Sequence, residues 1–347
     1  MSHNLQVIEQ KHLIFRKKFD TSELINQFPP KIFNNNKKIV FNIACPLGCV
    51  HVGNVIISKW SQIEWPEDLS QNKLLTSHLM DHDIYKYQSR FSDLNAIEWH
   101  VNFADRNLFG YYGGGLFAQD EMQVAEHPIL GSIRECLCEL ELEDLKYGPY
   151  TRDVNSSPTP VLIQGAQRRV EISIEPSKIY GRPNGLYGKE FSNASETTIK
   201  KATRVLSPPT ITNLIAMEAP KYGKGKYSLK TITEVFNTAY SAFLATKIES
   251  YSQSGKLNPV IVHTGNWGTG AYGGDKTLMA LLQILSSSIA GIDYLVYHCF
   301  NTELSEHYKE GLKIFEELTS YKENTTIINL IHEIEKMDFE WGATDGN

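Results

Sequence analysis

The chain has 347 residues and a mass of 39.3 kDa, and its 34 Lys and Arg against 40 Asp and Glu give a net charge of −6. Hydrophobic residues make up 41% of the sequence, enough to bury a core, so an intrinsically disordered protein is excluded. The acidic balance argues against non-specific nucleic-acid binding, which depends on basic residues that neutralise phosphates. The length fits two domains of ~150 residues or one large α/β domain.

The predicted elements begin after a polar N-terminal segment. The polar composition of residues 1–37 predicts an arm outside the core, so the main domain is expected at 38–347. The next predictions, in chain order, are strands at 38–42 and 97–103, a glycine turn at 110–115, a helix from about Phe117, a helix at 130–144, an apolar run at 159–164, an alternating segment at 169–175, long loops through 176–209, a buried strand at 212–217 and a helix over 229–243.

The clearest segment is strand 259–263, glycine-rich loop 264–274, helix 276–290 and strand 294–299, followed by amphipathic helices near 303–318 and 324–337. This βαβ unit predicts a parallel or mixed sheet with helices on both faces. Its loop contains Gly268-Thr-Gly-Ala-Tyr-Gly273, a G-x-G-x-x-G pattern whose amides can hold a diphosphate. A dinucleotide-dependent dehydrogenase is disfavoured, because the acidic residue expected ~20 residues on is missing.

A second glycine motif, Gly113–Gly115, precedes Gln119-Asp120-Glu121. Three consecutive glycines do not serve helix or strand stability, but they let a backbone fold around a ligand. Two adjacent carboxylates after such a loop can divide their roles between hydroxyl binding and proton transfer. The alternative is that Asp and Glu simply favour the first turn of a helix through its dipole.

These motifs together resemble the poly(ADP-ribose) glycohydrolase family. The segments that carry the resemblance are Asn102-Phe-Ala-Asp105, Gly113–Gly115, Gln119–Gln123 with Pro128, Thr264–Asp275, and then 214–219, 237–243, 278–285 and 295–300. The resemblance covers roughly residues 90–305, and residues 1–85 lie outside it. It implies a macrodomain-like fold, a three-layer α/β/α unit around a mixed sheet, here with an N-terminal extension.

By this resemblance, Glu121 is the catalytic acid/base and Asp120 binds ribose hydroxyls. Phe300 would stack near the adenine or its ribose, and Tyr187 would cover the ligand. The full set of implied ligand contacts is Asn102, Asp105, Gly113, Gly114, Gly115, Gln119, Tyr187, Gly265, Asn266, Trp267, Gly268, Thr269, Gly270, Ala271, Tyr272 and Phe300. For Trp267, Tyr272 and Phe300, plain packing is the alternative interpretation, and neither His263 nor His298 is assigned a role.

The sequence also departs from the family pattern. Only three residues separate Gly115 from Gln119, where the family has six or more, and Asp120 replaces a Glu. Asn102 stands where the family pattern has Asp, and Asp105 stands where it has Asn. An insertion at residues 108–112 lengthens the loop before the glycines. These changes favour an ADP-ribosyl group in general over a long polymer.

The resulting expectation is a hydrolase that cleaves the glycosidic bond at C1 of the distal ribose and releases ADP-ribose from poly- or mono-ADP-ribosylated protein. We expect no cofactor and no metal in this reaction, and neither DNA nor a membrane as partner. One alternative is a specialist for mono-ADP-ribosylated protein, for example at arginine. A second is a module that binds ADP-ribose without cleaving it, although the retained Glu121 argues against this.

The cysteines and the N-terminus bear on location. No run of 18 apolar residues occurs and no secretory signal is recognisable, so neither a transmembrane helix nor secretion is expected. Five cysteines at irregular spacing favour free thiols and a cytoplasmic protein, with the nucleus or delivery into another cell left open. Cys45-x3-Cys49-x-His51 has the residue types of a zinc site but no matching second half, so we interpret these residues as buried small side chains.

Overall fold

The computed structural model describes residues 3–67, 74, 76–87, 89, 91, 94–256, 258–320 and 326–344. The strands are β1 (Leu13–Asp20), β2 (Asn54–Trp60), β3 (Ser77–Asp81), β4 (Ile97–Phe103), β5 (Val161–Ile172), β6 (Thr203–Met217), β7 (Val260–Thr264) and β8 (Tyr294–His298). The helices are α1 (His3–His12), α2 (Thr21–Gln27), α3 (Asn35–Ala44), α4 (Gln119–Glu126), α5 (Ile129–Glu141), α6 (Glu190–Asn193), α7 (Glu196–Ala202), α8 (Leu229–Ser254), α9 (Lys276–Ala290), α10 (Thr302–Ser320) and α11 (Ile327–Glu335).

The strands form one mixed sheet in the order β1-β2-β5-β6-β4-β7-β8-β3. The run from β6 to β3 is parallel, whereas β1, β2, β5 and β6 pair antiparallel. Since the carboxyl ends of parallel strands share one edge, the loops that follow β4, β6, β7 and β8 converge there.

Helices cover both faces of this sheet. Leu162 and Ile215 belong to the core beneath α8 and α9, while their neighbours Ile163 and Leu214 belong to the core beneath α4 and α5. This alternation is the period of two that a sheet buried on both faces requires. The predicted three-layer α/β/α fold with a mixed sheet is therefore confirmed.

The N-terminal segment differs from the expected arm. β1 pairs with β2 along its whole length, and the α2 side chain of Leu24 is 2% exposed. Arg16 on β1 donates two hydrogen bonds through Nε, at 3.2 and 3.1 Å, to the two carboxylate oxygens of Glu249, which is buried on α8. An edge strand exposes much of its surface, and this explains the polar composition of a segment that belongs to the sheet.

Two further predictions need correction. The strand expected at 38–42 is helix α3, because the Asn34 side chain caps its N-terminus by accepting a hydrogen bond from the Lys37 amide. The loops expected through 176–209 are interrupted by α6 and α7 and end at Thr203, where β6 begins with mostly exposed residues that hide the strand pattern. Among the described helices, none combines the length and apolarity needed to span a membrane.

Candidate active site

The two carboxylates singled out in the sequence lie at the start of α4 and are buried, Asp120 at 6% and Glu121 at 3% exposure. Glu121 Oε2 accepts a hydrogen bond from the Ala118 amide at 3.0 Å, and Asp120 Oδ1 accepts one from Asn102 Nδ2 at 3.0 Å. Asn102 thus connects the end of β4 to the first turn of the helix. Its Oδ1 is buried and has no hydrogen-bond partner within the described part of the chain.

Gln119 fixes this helix to the strand. Its Nε2 donates to the Val101 carbonyl at 3.0 Å, and its Oε1 accepts from the Phe103 amide at 2.8 Å. Both ends of the Gln119 amide therefore contact the β4 backbone. These two hydrogen bonds place Gln119 so that it positions the next two residues, Asp120 and Glu121.

A buried cation completes the cluster. Lys37, 3% exposed, lies on α3 and donates from Nζ to the Tyr112 carbonyl at 2.8 Å. Burial lowers the pKa of Lys37 to about 8, although the charges of Glu121 and Asp120 oppose this. Burial, followed by the charge of Glu121, raises the pKa of Asp120 to about 8, and burial also raises the pKa of Glu121 against the opposing effect of Lys37. The carboxylate pair therefore retains a proton at neutral pH.

This arrangement predicts how stability depends on pH. An unfolded Asp releases its proton near pH 4, whereas folded Asp120 does so near pH 8. The folded state thus binds more protons between these values, and stability falls as pH rises, by up to about 1.4 kcal/mol per pH unit. Asp120→Asn should flatten the fall in unfolding free energy between pH 5 and 7.5, measured by urea denaturation. The control is Asp144→Asn, at a solvent-accessible carboxylate, which should show the same dependence of unfolding free energy on pH as the wild type. If Asp120→Asn also keeps the wild-type dependence, the extra proton of the folded state is not held by Asp120.

The loop Gly113–Gly115 packs against the N-terminal segment. A Cβ at Gly113 would lie 2.3 Å from the Lys31 carbonyl oxygen, so only glycine permits this approach. The Gly113 carbonyl accepts hydrogen bonds from the Phe33 and Asn34 amides at 2.9 and 3.0 Å. Sequence reasoning missed this role, because it treated residues 1–37 as separate from the site.

The loop between β7 and α9 presents unused donors. The backbone N–H groups of Gly268, Gly270 and Ala271 donate no hydrogen bond to any described residue. The Nδ2 group of Asn266 is buried and also lacks a partner among these residues, while its Oδ1 accepts from the Tyr297 hydroxyl at 3.2 Å. Successive free amides near a helix N-terminus form a concavity that suits an anion.

Other members of the same loop hold it in place. Trp267 is 1% exposed and donates from Nε1 to the Met217 carbonyl at the end of β6, at 3.0 Å. Thr269 donates from Oγ1 to the Asn266 carbonyl, and a Cβ at Gly265 would lie 3.1 Å from the His298 carbonyl oxygen. Packing is therefore the role that the structure gives Trp267.

Asp105 joins three loops at this edge. Its Oδ2 accepts hydrogen bonds from Lys221 Nζ and the Tyr272 hydroxyl, both at 2.8 Å, and its Oδ1 accepts from the Asn107 amide at 3.0 Å. Burial raises the pKa of Asp105, but these three hydrogen bonds outweigh it and the net pKa is lowered. The ionised carboxylate acts as a latch between the β4, β6 and β7 loops. Lys221 lies 116 positions away in the chain, and no sequence motif marked it.

Two aromatic side chains remain accessible. Phe300 directly follows β8 and is 52% exposed, and Tyr187 is 42% exposed. The Gly188 amide donates to the Phe117 carbonyl at 2.9 Å, which places the Tyr187 loop beside the start of α4. Phe300 lies at the same sheet edge as the loop with the unused amides, so both rings are available to a ligand there.

Comparison with known proteins bears on this geometry. Residues 162–307 match the family model described as poly(ADP-ribose) glycohydrolase, macro domain fold. The resemblance to the poly(ADP-ribose) glycohydrolase family is thus confirmed. The matched segment contains the 265–275 loop and Phe300 but begins after Asp120 and Glu121.

A curated relative is the probable poly(ADP-ribose) glycohydrolase 2 of Arabidopsis thaliana, 25% identical over 159 residues, which are 37% of this chain and 30% of that protein. The match thus spans under a third of this relative's length. Among solved structures, the glycohydrolase of Deinococcus radiodurans with ADP-ribose aligns over 91% of this chain and 98% of its own at 10% identity, with a TM-score of 0.45. That of Thermomonospora curvata with ADP-HPD aligns over 90% and 89% at 12% identity, with a TM-score of 0.43.

Proposed function

We propose that this protein hydrolyses the glycosidic bond at C1 of the distal ribose of ADP-ribosyl groups and releases ADP-ribose from modified protein. The observation that carries the proposal is the pairing of two features at one sheet edge. One is the buried carboxylate pair Asp120 and Glu121; the other is the loop at 265–275 with unused amides for a diphosphate. The matched family and the Arabidopsis relative, both described as poly(ADP-ribose) glycohydrolases, support the same chemistry.

The mechanism follows from the protonation of the site. The carboxylate pair retains a proton, and burial favours the protonated form of Glu121 by raising its pKa. In the reactive form this proton lies on Glu121 and Asp120 is ionised, and Glu121 passes the proton to the leaving oxygen as the C1–O bond breaks. The Glu121 carboxylate then takes a proton from the water that attacks C1, so the starting state is restored. Lys37 balances the charge of the intermediate carboxylate. Proton transfer of this kind contributes ~10²–10⁴-fold to rate.

Asp120 and the diphosphate serve the same transition state. Asp120 would bind the ribose hydroxyls, held in place by the Asn102 hydrogen bond. Positive charge develops on the sugar ring as the bond breaks, and a diphosphate bound on the loop would lie where it can stabilise that charge.

A specialist for mono-ADP-ribosylated protein is the second candidate. Asp105, which replaces the family's Asn at the strand end, is ionised and engaged by Lys221 and Tyr272. An ion pair held by Tyr272 thus replaces the neutral amide of the family pattern at this position, and it alters the rim that a polymer's next ADP-ribose unit would have to pass. This observation favours a protein-linked single ADP-ribose over a long chain.

Ligand binding gives the first test. Free ADP-ribose should raise the unfolding temperature, since a ligand at a hundredfold excess over its Kd stabilises by about 2.7 kcal/mol. Gly270→Val should abolish the shift by placing a branched side chain where the diphosphate approaches. Ala96→Val, at the opposite edge of the sheet, is the matched control and should retain it. A flat response to ADP-ribose together with a shift by NAD would contradict the proposal and favour a dinucleotide site.

A further inference from the structure

The loop after α3 brings three potential metal ligands together. The ligand atoms of Cys45, Cys49 and His51 all lie within 4.8 Å of one another, and Cys49 Sγ is 3.5 Å from His51 Nε2. Both cysteines are half-buried rather than fully buried, and His51 is 8% exposed. Tetrahedral Zn²⁺ with bonds of about 2.3 Å to sulfur needs sulfurs roughly 3.8 Å apart, so this spacing needs only a small adjustment.

A tight turn produces this arrangement. The Cys49 amide donates to the Pro46 carbonyl at 2.9 Å, and Gly48 has a φ of +80°. A positive φ at the third residue defines a type II turn and is readily adopted only by glycine. The turn folds the chain back so that both sulfurs face the same side.

Arg169 on β5 forms hydrogen bonds with the backbone at both ends of the segment that runs from Cys45 to His51. It donates from Nε to the Ala44 carbonyl at 2.7 Å and from a terminal nitrogen to the Val50 carbonyl at 3.2 Å. These carbonyls belong to the residues directly before Cys45 and His51, so the ligands are held before any ion arrives. Held ligands lower the ordering cost of binding an ion.

The two ring nitrogens of His51 differ in their surroundings, and Nε2 is the one that lies 3.5 Å from Cys49 Sγ. His51 Nδ1 is buried and has no hydrogen-bond partner among the described residues. Soft thiolate and imidazole donors select Zn²⁺ over hard cations such as Mg²⁺.

We infer that Cys45, Cys49 and His51 form a binding site for a thiophilic divalent cation such as Zn²⁺, with water as the fourth ligand. The site lies at the C-terminal end of α3, the helix that carries Lys37 near its start, and it is distinct from the proposed catalytic carboxylates. Its role is to anchor the loop and the end of that helix.

The test is a titration of the reduced, chelator-treated full chain with CoCl₂, followed by displacement with ZnCl₂. We expect about one equivalent of Co²⁺, a thiolate-to-cobalt charge-transfer band, and loss of that band on adding Zn²⁺. Cys49→Ser and His51→Gln should each weaken binding by more than the 10–100-fold typical of outer-shell partners, while Cys138→Ser, at a half-buried cysteine on α5, should bind as the wild type does.

Circular dichroism of each variant distinguishes lost ligation from lost folding. Absence of the band in the folded wild type, or its persistence in folded Cys49→Ser and His51→Gln, would overturn the site. So would a reduced protein that takes up no metal but forms a Cys45–Cys49 disulfide on mild oxidation. ADP-ribose release does not enter this test, so its outcome is independent of the proposed activity.

Discussion

Glu121→Gln is expected to slow ADP-ribose release by about 10²-fold or more while ADP-ribose still binds. Glutamine keeps the shape and can still accept the hydrogen bond from the Ala118 amide that fixes Glu121 at the helix start. It cannot deliver a proton to the leaving oxygen or take one from water. The measurement is the turnover rate under saturating substrate, paired with a calorimetric Kd for ADP-ribose.

Two neighbouring carboxylates provide the comparison. Asp120→Asn should lower affinity as well as rate, by roughly ten- to a hundredfold in affinity if a charge-assisted hydrogen bond of about 1.5–3 kcal/mol to the ribose is lost. Asp105→Asn should weaken the latch with Lys221 and Tyr272 and cost less turnover than Glu121→Gln. If Asp105→Asn abolishes turnover and Glu121→Gln is nearly silent, the catalytic carboxylate lies at the end of β4 instead.

Removal of residues 1–37 is expected to prevent folding. The truncation strips β1 from the sheet edge and exposes the surface that Phe15 and Leu24 cover, each such side chain being worth about 1.5–3 kcal/mol. It also leaves Glu249, 1% exposed, without Arg16; an unpaired buried charge costs about 3–5 kcal/mol. Together these losses rival a typical total stability of about 5–15 kcal/mol.

A shorter truncation serves as the control. A chain that starts at Leu13 lacks α1 but keeps β1, Arg16 and Lys37, so it should fold with a moderate loss of stability. Soluble yield and a cooperative thermal transition by circular dichroism measure both. A chain starting at Lys38 that melts cooperatively within a few degrees of the full protein would contradict this account of the N-terminal segment.

The parts of the fold that the sequence predicted have strong local patterns. The unit from β7 to β8 combines two apolar runs, a glycine loop and a helix capped by Asp275, so its signals agree with one another. The prediction failed at 38–42, where the β-branched Ile39 and Val40 indicated a strand while the Asn34 cap decided for a helix. It also missed residues 203–211 of β6, most of which are exposed.

The candidate site likewise contains residues that the sequence predicted and residues that it missed. The carboxylates and the glycine-rich loop at 264–274 are local motifs, and the structure brings both to the edge where the parallel strands end. Lys37 and Lys221 are contacts across the fold: one comes from a segment without resemblance to the family, the other from a loop 116 positions beyond Asp105. Such pairings depend on tertiary packing, which no spacing in the sequence reveals.

The most direct test of the central claim is the initial rate of ADP-ribose release, followed by chromatography, from two substrates: poly(ADP-ribose) and a mono-ADP-ribosylated protein. We expect release from at least one of them by the wild type, with the rate of Glu121→Gln reduced by about 10²-fold or more on that substrate. Faster release from the mono-modified protein would support the specialist activity. Tight ADP-ribose binding with no release from either substrate would contradict the account and leave a binding module.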